Sequence, residues 1–303
     1  LDLSKIEAKK LELSLETFDM RTLVEDVADM LGTAARSKGL SLSTFVDPAL
    51  PTSLKGDPKR LRQILVNLCG NALKFTETGS VFIRVEKLSL SDHAVTFNAS
   101  VIDTGIGISD EARRNLFKPF NTQKDAKHPG TGLGLAISKS LAELMGGEIG
   151  VDPHTNNGST FWFTATLRTD SHDYLGSHHV PAHKEREKAR LMIVSSDPST
   201  SEALTMYSYA RGIEHVAVQS IEEAKEMMQV FDKDNLKPVR FFVDMSNRTL
   251  DPCSLIEEIA DSPLSANARW IALTHIDSKD YHKKLKEAGF SKVLVKPFRF
   301  NSF

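Results

Sequence analysis

The sequence predicts an α/β protein of two domains, and three observations lead to this prediction. The 303 residues, 40% of them hydrophobic, are enough for two cores of ordinary size. Residues 169–188 are polar and have no apolar period, as in a linker. After them, short apolar strands alternate with helical segments, which predicts a parallel, doubly wound sheet. We therefore expect domains over residues 11–168 and 189–303, and we interpret residues 1–10 as the end of a helix that begins earlier.

Hydrophobic spacing predicts the elements of the first domain in order. Alternation over Leu11–Glu16 predicts a strand, and helical spacing over Thr22–Lys38 predicts a helix that precedes a strand over Leu40–Val46. Asp57 as the N-cap and a proline at the first helical position predict a long helix that ends at Phe75. The other expected elements are strands over 80–87 and 93–103, helices over 111–117 and 133–145, and strands over 148–152 and 159–167.

The second domain is predicted to contain five strands with helices between them. The strands are expected at Arg190–Val194, His215–Gln219, Arg240–Asp244, Trp270–Thr274 and Lys292–Pro297. A fifth helix is expected to follow the last strand, so we interpret the domain as truncated before that helix.

Composition and charge exclude several classes of function. A formal net charge of −2 gives no field that would gather nucleic acid or an anionic membrane. The two cysteines, Cys69 and Cys253, lie far apart in apolar runs, which favours buried thiols in a reducing cytosol over a disulfide or a metal site. No apolar run approaches the roughly 20 residues of a membrane span, so we predict a cytoplasmic segment without membrane contact. The linker histidines 172, 178, 179 and 183 are interpreted as solvated residues rather than metal ligands.

Four polar or aromatic residues share one face of the long helix. Asn67, Asn71, Lys74 and Phe75 stand at i, i+4, i+7 and i+8. Asparagine offers neutral oxygen ligands to Mg²⁺, and a lysine adds positive charge for phosphates. The simpler alternative is that the two asparagines are caps or exposed polar residues.

Two glycine-containing segments follow that helix. In V-I-D-T-G-I-G-I, Asp103 ends an apolar strand, and the glycines after it let the backbone approach a planar ligand. A carboxylate there is suited to accept a hydrogen bond from an exocyclic amine such as adenine N6. The segment P-G-T-G-L-G-L-A-I (Pro129–Ile137) is a glycine-rich turn that enters a helix, whose first amides suit phosphate oxygens. Each pattern is weak alone, and their order along the chain is the specific signal.

This order of blocks, closed by N-N-G-S-T-F-W-F (Asn156–Phe163), resembles the catalytic ATP-binding domain of sensor histidine kinases. That domain belongs to a superfamily shared with type II topoisomerases and MutL-type ATPases. The resemblance covers Leu11–Leu167. It implies a two-layer α/β sandwich, with a mixed sheet and helices on one face, that binds ATP and Mg²⁺.

The resemblance also implies a role for each matching residue. Asn71 would hold Mg²⁺, with Asn67 beside it and Lys74 on phosphate, and these three form the expected catalytic set. Phe75 would pack near the base, and Asp103 would read adenine. Further nucleotide contacts implied by the resemblance are Gly105, Gly107 and Ile108 at the base, Lys124, Gly130, Thr131, Gly132, Leu133, Gly134 and Leu135 at the phosphate lid, and Thr160 on the last strand.

The sequence departs from the family pattern in its lid and its acceptor. The segment Asn121–Pro129 is shorter than usual in hybrid kinases, lacks arginine and has Pro129 where glycine is common. Lid charge would come from Lys124 and Lys127. No histidine is followed by the E-L-R-T-P type of sequence expected at the phosphoacceptor. We therefore expect that histidine on an upstream helical hairpin, which would also form the homodimer, and Leu1–Ala8 resembles its last turn.

The second domain resembles the receiver domain of response regulators, which has the flavodoxin-like fold. Asp244 matches the phosphoacceptor, while Thr274 and Lys296 match the conserved hydroxyl and lysine. The acidic pair that holds Mg²⁺ is replaced by Ser195 and Ser196, and neutral hydroxyls do not gather a hard dication as two carboxylates do. Asp197 follows one residue too late, and we expect it to point elsewhere. We therefore predict a pseudo-receiver with a regulatory role rather than a working acceptor.

The leading functional hypothesis is the ATP-dependent core of a hybrid sensor histidine kinase in a two-component pathway. Its partners would be the upstream hairpin and a downstream receiver or response regulator. An alternative is a nucleotide-sensing regulatory module without phosphotransfer. A DNA-linked ATPase is disfavoured, because the sequence has neither a transducer-like domain nor a basic face.

Overall fold

The computed structural model describes residues 11–120, 132–153, 158–169, 190–233, 238–246, 268–276 and 278–299. The chain divides into two compact units, one formed mainly by the residues up to His179 and the other mainly by those from Val180 on. The helix end predicted over residues 1–10 and nearly all of the predicted linker lie outside the described residues, so the predicted domain bounds stay predictions. None of the described helices combines the length and apolar character that a membrane span needs.

The first unit is a sheet covered by helices. Its strands are β1 (Glu16–Phe18), β2 (Ser41–Val46), β3 (Leu54–Gly56), β4 (Ser80–Leu90), β5 (Ala94–Asp103), β6 (Ile149–Pro153) and β7 (Ser159–Thr169). Its helices are α1 (Met20–Ser37), α2 (Pro58–Phe75), α3 (Asp110–Arg113) and α4 (Gly134–Leu144). The strand order in the described part is β1-β3-β7-β5-β4-β2, and β6 also pairs with β7. The pairs β4–β5 and β5–β7 are long and antiparallel, so β5 and β7 form the centre of the sheet.

The described helices cover one face of this sheet and leave the other face without a helix of the described ranges. On β5, alternate residues from Val95 to Asp103 are buried, whereas Thr96, Asn98 and Ile102 between them are partly exposed. Helix α2 packs on α1 and α4 and against β4 and β5, while α4 also packs against β6 and β7. The apolar face of α2, from Leu61 to Leu73, is buried in this layer. The result is the two-layer α/β sandwich that the sequence predicted.

Helix α1 begins and ends at clear local signals. Asp19 caps it by accepting the Arg21 amide at 2.8 Å. At its other end Gly39 has φ +69°, and the amides of Gly39 and Leu40 return to the carbonyls of Arg36 and Ala35. This left-handed glycine turn terminates the helix directly after Lys38.

Three short elements differ from the sequence prediction. The strand expected over Leu11–Glu16 lies instead at Glu16–Phe18, because the Ser14 amide donates to Asp57 Oδ2 at 3.0 Å rather than to a neighbouring strand. Strand β3 was not predicted, since three residues cannot show an alternating pattern. The helix predicted over 111–117 is regular only over Asp110–Arg113 and continues as turns. The long elements α1, α2, β4, β5, α4 and β7 are confirmed within a few residues.

The second unit is a parallel sheet. Its strands are β8 (Arg190–Val194), β9 (Glu214–Val218), β10 (Pro238–Asp244), β11 (Arg269–Thr274) and β12 (Lys292–Val295). Its described helices are α5 (Pro198–Ala210), α6 (Ile221–Lys233) and α7 (Lys279–Glu287). The strand order is β12-β11-β10-β8-β9, and each neighbouring pair is parallel. This is the flavodoxin-like order predicted for the domain.

Both faces of the second sheet are buried. On one face Met192, Phe241 and Trp270 pack with residues of α6 and α7. On the other, Ile193, Phe242 and others pack with Leu204 of α5. Strands buried on both faces appear in a sequence as continuous apolar runs. This explains why the alternation of strands and helices could be predicted from the sequence. The helix expected between β10 and β11, and the residues after 299, lie outside the described ranges.

Candidate functional site

Helix α2 carries the first group of candidate residues. Its start is fixed by Asp57, whose Oδ1 accepts the Arg60 amide at 3.1 Å. One face of the helix carries Asn67, Asn71, Lys74 and Phe75, all partly buried. Lys74 Nζ lies 5.0 Å from the centroid of the Phe75 ring. The face therefore presents two amides and one ammonium group beside an aromatic ring.

The start of α4 lies against this face. Asn67 Nδ2 donates to Ser138 Oγ at 2.9 Å. A Cβ at Gly134 would lie only 2.2 Å from Asn67 Oδ1, so any other residue there would displace the Asn67 side chain. Gly132, which has φ +68°, precedes the helix. Two separate sequence blocks, the asparagine helix and the glycine-rich helix start, thus meet at Asn67.

Asp103 ends β5 and is buried, with 5% of its surface exposed. Its Oδ2 accepts the Ser159 hydroxyl at 2.5 Å, and its Oδ1 accepts the Gly105 amide at 2.9 Å. The β5–β7 register pairs Asp103 with Ser159, so Thr160 faces the opposite side of the sheet. An ionised carboxylate has about four acceptor positions, so two neutral donors orient it and leave it able to accept more.

Glycines bring the backbone close to Asp103. A Cβ at Gly105 would lie 2.6 Å from the Phe75 carbonyl oxygen, and one at Gly158 would lie 2.1 Å from the Asp103 carbonyl oxygen. Gly107 and Gly158 have φ +74° and +94°, which side chains disfavour. The end of α2, the turn after β5 and the start of β7 therefore converge around one buried carboxylate.

The structure brings some of the predicted nucleotide residues together and not others. Asn67 and Gly134 lie together, as do Phe75, Asp103 and Gly105. Ile108, Leu133 and Leu135 are partly buried residues at the ends of the adjoining segments. Lys124, Gly130 and Thr131 lie outside the described residues. The assignment of each to nucleotide binding stays a prediction.

Sequence reasoning missed two residues of this site. Ser159 holds Asp103, whereas the sequence prediction had named only its neighbour Thr160, as a nucleotide contact, and Ser138 holds Asn67. A signal for Ser159 was present in the sequence, because a small hydroxyl residue follows a glycine at the start of a predicted strand. Ser138 lies one helical turn after Gly134, on the face of α4 that meets α2.

The second unit also places an aspartate at the end of a central strand. Asp244 Oδ2 accepts the Lys296 ammonium at 2.6 Å and the Ser195 hydroxyl at 2.9 Å. Lys296 is 2% exposed. Thr274 is buried, and its hydroxyl accepts the Ile276 amide at 3.0 Å. The three receiver-like residues predicted from the sequence thus lie at the carboxyl ends of three neighbouring strands, and Lys296 is bound directly to Asp244.

Asp197 does not point away from this site, and that expectation was wrong. Its Oδ2 lies 3.4 Å from Lys296 Nζ and accepts the Thr200 hydroxyl at 2.5 Å. It points inward because it is the N-cap of α5, where its Oδ1 accepts the Ser199 amide at 3.2 Å. Burial alone would raise the pKa of Asp197, but the Lys296 charge and the hydroxyl donors outweigh it and lower that pKa.

Comparison with known proteins agrees with this geometry. Residues 56–169 match the family described as histidine kinase-, DNA gyrase B-, and HSP90-like ATPase. Over 171 residues the chain is 44% identical to the signal transduction histidine-protein kinase BarA of Escherichia coli K12. This alignment covers 55% of this chain and 18% of BarA. Over 182 residues it is 45% identical to the sensor histidine kinase GacS of Pseudomonas protegens, covering 58% of this chain and 20% of GacS.

A solved structure covers both units. The crystal structure of full-length ShkA in complex with AMPPNP matches with a TM-score of 0.77 and 31% identity, over 99% of this chain and 58% of that chain. Residues 56–169 of the first unit therefore resemble an ATPase domain of the histidine kinase, gyrase B and HSP90 class. More particularly, the relatives that match over the first unit are named as signal transduction or sensor histidine kinases, and the parallel sheet of the second unit is receiver-like. The chain spans about a fifth of the length of these curated relatives.

Proposed function

We propose that the first unit binds ATP, with its adenine at Asp103. The observation that carries this proposal is the buried carboxylate at the end of β5, held by the neutral donors Ser159 and Gly105. A carboxylate oriented in this way can accept the exocyclic amine of adenine but would repel the carbonyl oxygen of guanine. AMPPNP, an ATP analogue, is the ligand named in the ShkA structure, which supports the same ligand class here.

The face formed by Asn67, Asn71 and Lys74 would receive the phosphates. Amide oxygens suit Mg²⁺, which takes few protein ligands and completes its shell with water and phosphate oxygens. Bound Mg²⁺ would neutralise charge on the transferred phosphoryl group. Asn71 would hold the ion, Lys74 would contact phosphate, and Asn67, fixed by Ser138 and the start of α4, would lie beside them. The first amides of α4 would donate to phosphate oxygens.

Calorimetric titration of the whole chain tests nucleotide binding. We expect 1:1 binding of Mg²⁺-ATP and much weaker binding of Mg²⁺-GTP. Asn71→Ala should retain some ATP binding but lose its dependence on Mg²⁺, because Lys74 and Phe75 remain. Equal affinities for ATP and GTP would remove the role given to Asp103, and identical magnesium titrations of wild type and variant would remove that given to Asn71.

We further propose that the unit transfers the γ-phosphoryl group of ATP to a histidine on a helical hairpin of the same protein. No histidine of this sequence lies in the expected acceptor motif. With labelled ATP, the chain alone should form no acid-labile, base-stable phosphate. Adding a separately made hairpin from the full-length homodimer should produce phosphohistidine on the hairpin only. Phosphohistidine on the chain alone would contradict this assignment.

A nucleotide-sensing regulatory module without phosphotransfer is the second candidate. The observation that favours it is in the second unit, where Ser195 rather than a carboxylate contacts Asp244. The two candidates give opposite results in the hairpin experiment, because a sensing module would bind ATP and leave the hairpin unmodified.

For the second unit we propose a regulatory pseudo-receiver. Ser195 stands where a receiver has a metal-holding carboxylate, and Asp197, the acid nearby, lies 3.4 Å from Lys296. The site should therefore neither bind Mg²⁺ tightly nor accept a phosphoryl group. The downstream partner would then be another receiver or a response regulator, within a cytoplasmic pathway.

A further inference from the structure

The last turn of α2 has donors for the carbonyl groups that a helix end leaves without partners. The Ala72 oxygen accepts the Thr76 amide at 3.0 Å and the Thr76 hydroxyl at 2.7 Å. The next two, from Leu73 and Lys74, accept the Lys38 ammonium at 2.6 and 3.3 Å. The Phe75 oxygen accepts the Ile106 amide at 3.4 Å. The end of this helix is therefore capped by two distant parts of the chain.

Lys38 reaches α2 because of how α1 ends. The left-handed turn at Gly39 stops α1 directly after Lys38, which is its C-cap. From there the side chain crosses to a partner 35 residues away in sequence. The contact is thus a property of the fold and not a local turn within α2.

The capped turn is the part of α2 that carries the candidate phosphate and base residues. Asn71, Lys74 and Phe75 all lie within its last five residues. The Phe75 carbonyl is also the atom that approaches Gly105, beside Asp103. A shift of this turn would therefore move the metal and phosphate ligands relative to the base pocket.

We propose that Lys38 is a positioning residue of the nucleotide site. Its ammonium would hold the last turn of α2 in place and offset the partial negative charge of the helix end. That charge would otherwise face the phosphates of a nucleotide bound along Asn71 and Lys74. This inference rests on the proposed ATP site and adds a residue from α1, outside every block from which that site was predicted.

The test compares Lys38→Met with Lys38→Arg and Lys59→Met in the whole chain. A cation at a helix C-terminus contributes up to about a fivefold to tenfold change in an equilibrium. We expect Lys38→Met to weaken Mg²⁺-ATP binding about fivefold and to keep the preference for ATP over GTP. Arginine should restore affinity to within about twofold, because it keeps the charge and the donors. Lys59 lies on the same helix, paired with Glu16 at 2.9 Å far from the last turn, so Lys59→Met should leave affinity unchanged.

The readouts separate this inference from the proposed function and from a general loss of stability. If wild type does not bind Mg²⁺-ATP, the proposed function fails before Lys38 is tested. If wild type binds and Lys38→Met binds equally well, the positioning role is wrong. Affinities are measured well below the melting temperature of each variant. A weakening that arginine does not rescue, or that Lys59→Met shares, would also overturn the role.

Discussion

Each unit buries one aspartate at the end of a central strand, and the two are held by different chemistry. Asp103 at the end of β5 accepts a hydroxyl and a backbone amide. Asp244 at the end of β10 accepts an ammonium as well as a hydroxyl. Neutral donors orient a carboxylate without removing its charge, whereas a lysine at 2.6 Å neutralises it. The first arrangement is suited to a ligand, whereas in the second a cation already pairs with the carboxylate.

The comparison shows that similar positions at strand ends can be held by different chemistry. Asp103 was selected from the sequence as a carboxylate at the end of an apolar strand, and Asp244 was selected because it matches the phosphoacceptor of receiver domains. What distinguishes them comes from elsewhere in the chain, from Ser159 in one unit and from Lys296 and Asp197 in the other. The chemical difference therefore lies in the partners and not in the aspartates.

The largest expected effect is on Asp103. Asp103→Asn keeps the size of the side chain but replaces one acceptor oxygen with a donor that suits guanine better than adenine. We expect ATP affinity to fall about a hundredfold, roughly 3 kcal/mol, with a much smaller change for GTP. Calorimetry with both nucleotides measures this, and equal losses for the two would break the assignment of Asp103 to the base.

The next prediction concerns conversion of the second site towards the metal-binding pattern. Ser195→Asp with Ser196→Asp should restore Mg²⁺ binding, at least tenfold tighter than in wild type, because two added carboxylates outweigh Lys296. An NMR magnesium titration follows the amides around Asp244. Wild type should show no saturable shifts and no response to beryllofluoride. Tight, saturable shifts in wild type would instead mean that Asp197 supplies the missing charge.

Asp197→Asn tests the ion pair within the second unit. Asparagine keeps the N-cap but loses the charge beside Lys296, so we expect about 1.5 kcal/mol less stability at pH 7. The lowered pKa of Asp197 sets the pH dependence. Its contribution is complete above the unfolded value of about 3.9 and is lost as pH falls through the lower folded value. The difference between wild type and variant should therefore shrink at pH 3.

Urea unfolding followed by Trp270 fluorescence, in a Trp162→Phe background, measures this difference. Asp280→Asn, at an exposed acid in the first turn of α7, is the matched control and should change stability little. A difference for Asp197→Asn that stays constant from pH 7 to pH 3 would show that its charge does not stabilise the fold.

The smallest effect distinguishes two neighbouring hydroxyls. Ser159→Ala removes one donor to Asp103 and should weaken ATP binding about fivefold, near 1 kcal/mol. Thr160→Ala, one residue on and facing the other side of the sheet, should change affinity less than twofold. The reverse ranking in calorimetry would restore the sequence-based choice of Thr160.

Long elements with strong local signals were predictable from the sequence. Helix α2 was predicted to the residue because Asp57 and Pro58 mark its start, and the second sheet was predicted from apolar strands buried on both faces. Strand β3 has only three residues and β1 is displaced by a tertiary hydrogen bond from Ser14 to Asp57. Local patterns contain no information of that kind, so these two elements were missed or misplaced.

The residues of the candidate sites likewise divide into those with a local sequence signal and those placed by tertiary contacts. Asp103, Asn67 and Gly134 were found because each lies in a motif with a chemical reason. The Ser159–Asp103 contact joins residues 56 apart in sequence, and the Lys38–Leu73 contact joins residues 35 apart. The orientation of Asp197 was misjudged because the sequence prediction did not consider that Asp197 caps α5. This capping role turns its carboxylate towards Lys296.

The unbroken register between β5 and β7 has a consequence for how this sequence can evolve. Ten consecutive pairs, from Ala94–Arg168 to Asp103–Ser159, fix the two strands against each other. A single-codon deletion within Phe161–Leu167 would invert the alternation for the residues on one side of it, exposing buried aromatics and withdrawing Ser159 from Asp103. Insertions and deletions should therefore be confined to the segments between strands. Related sequences that share this site should differ along β7 by point substitutions only.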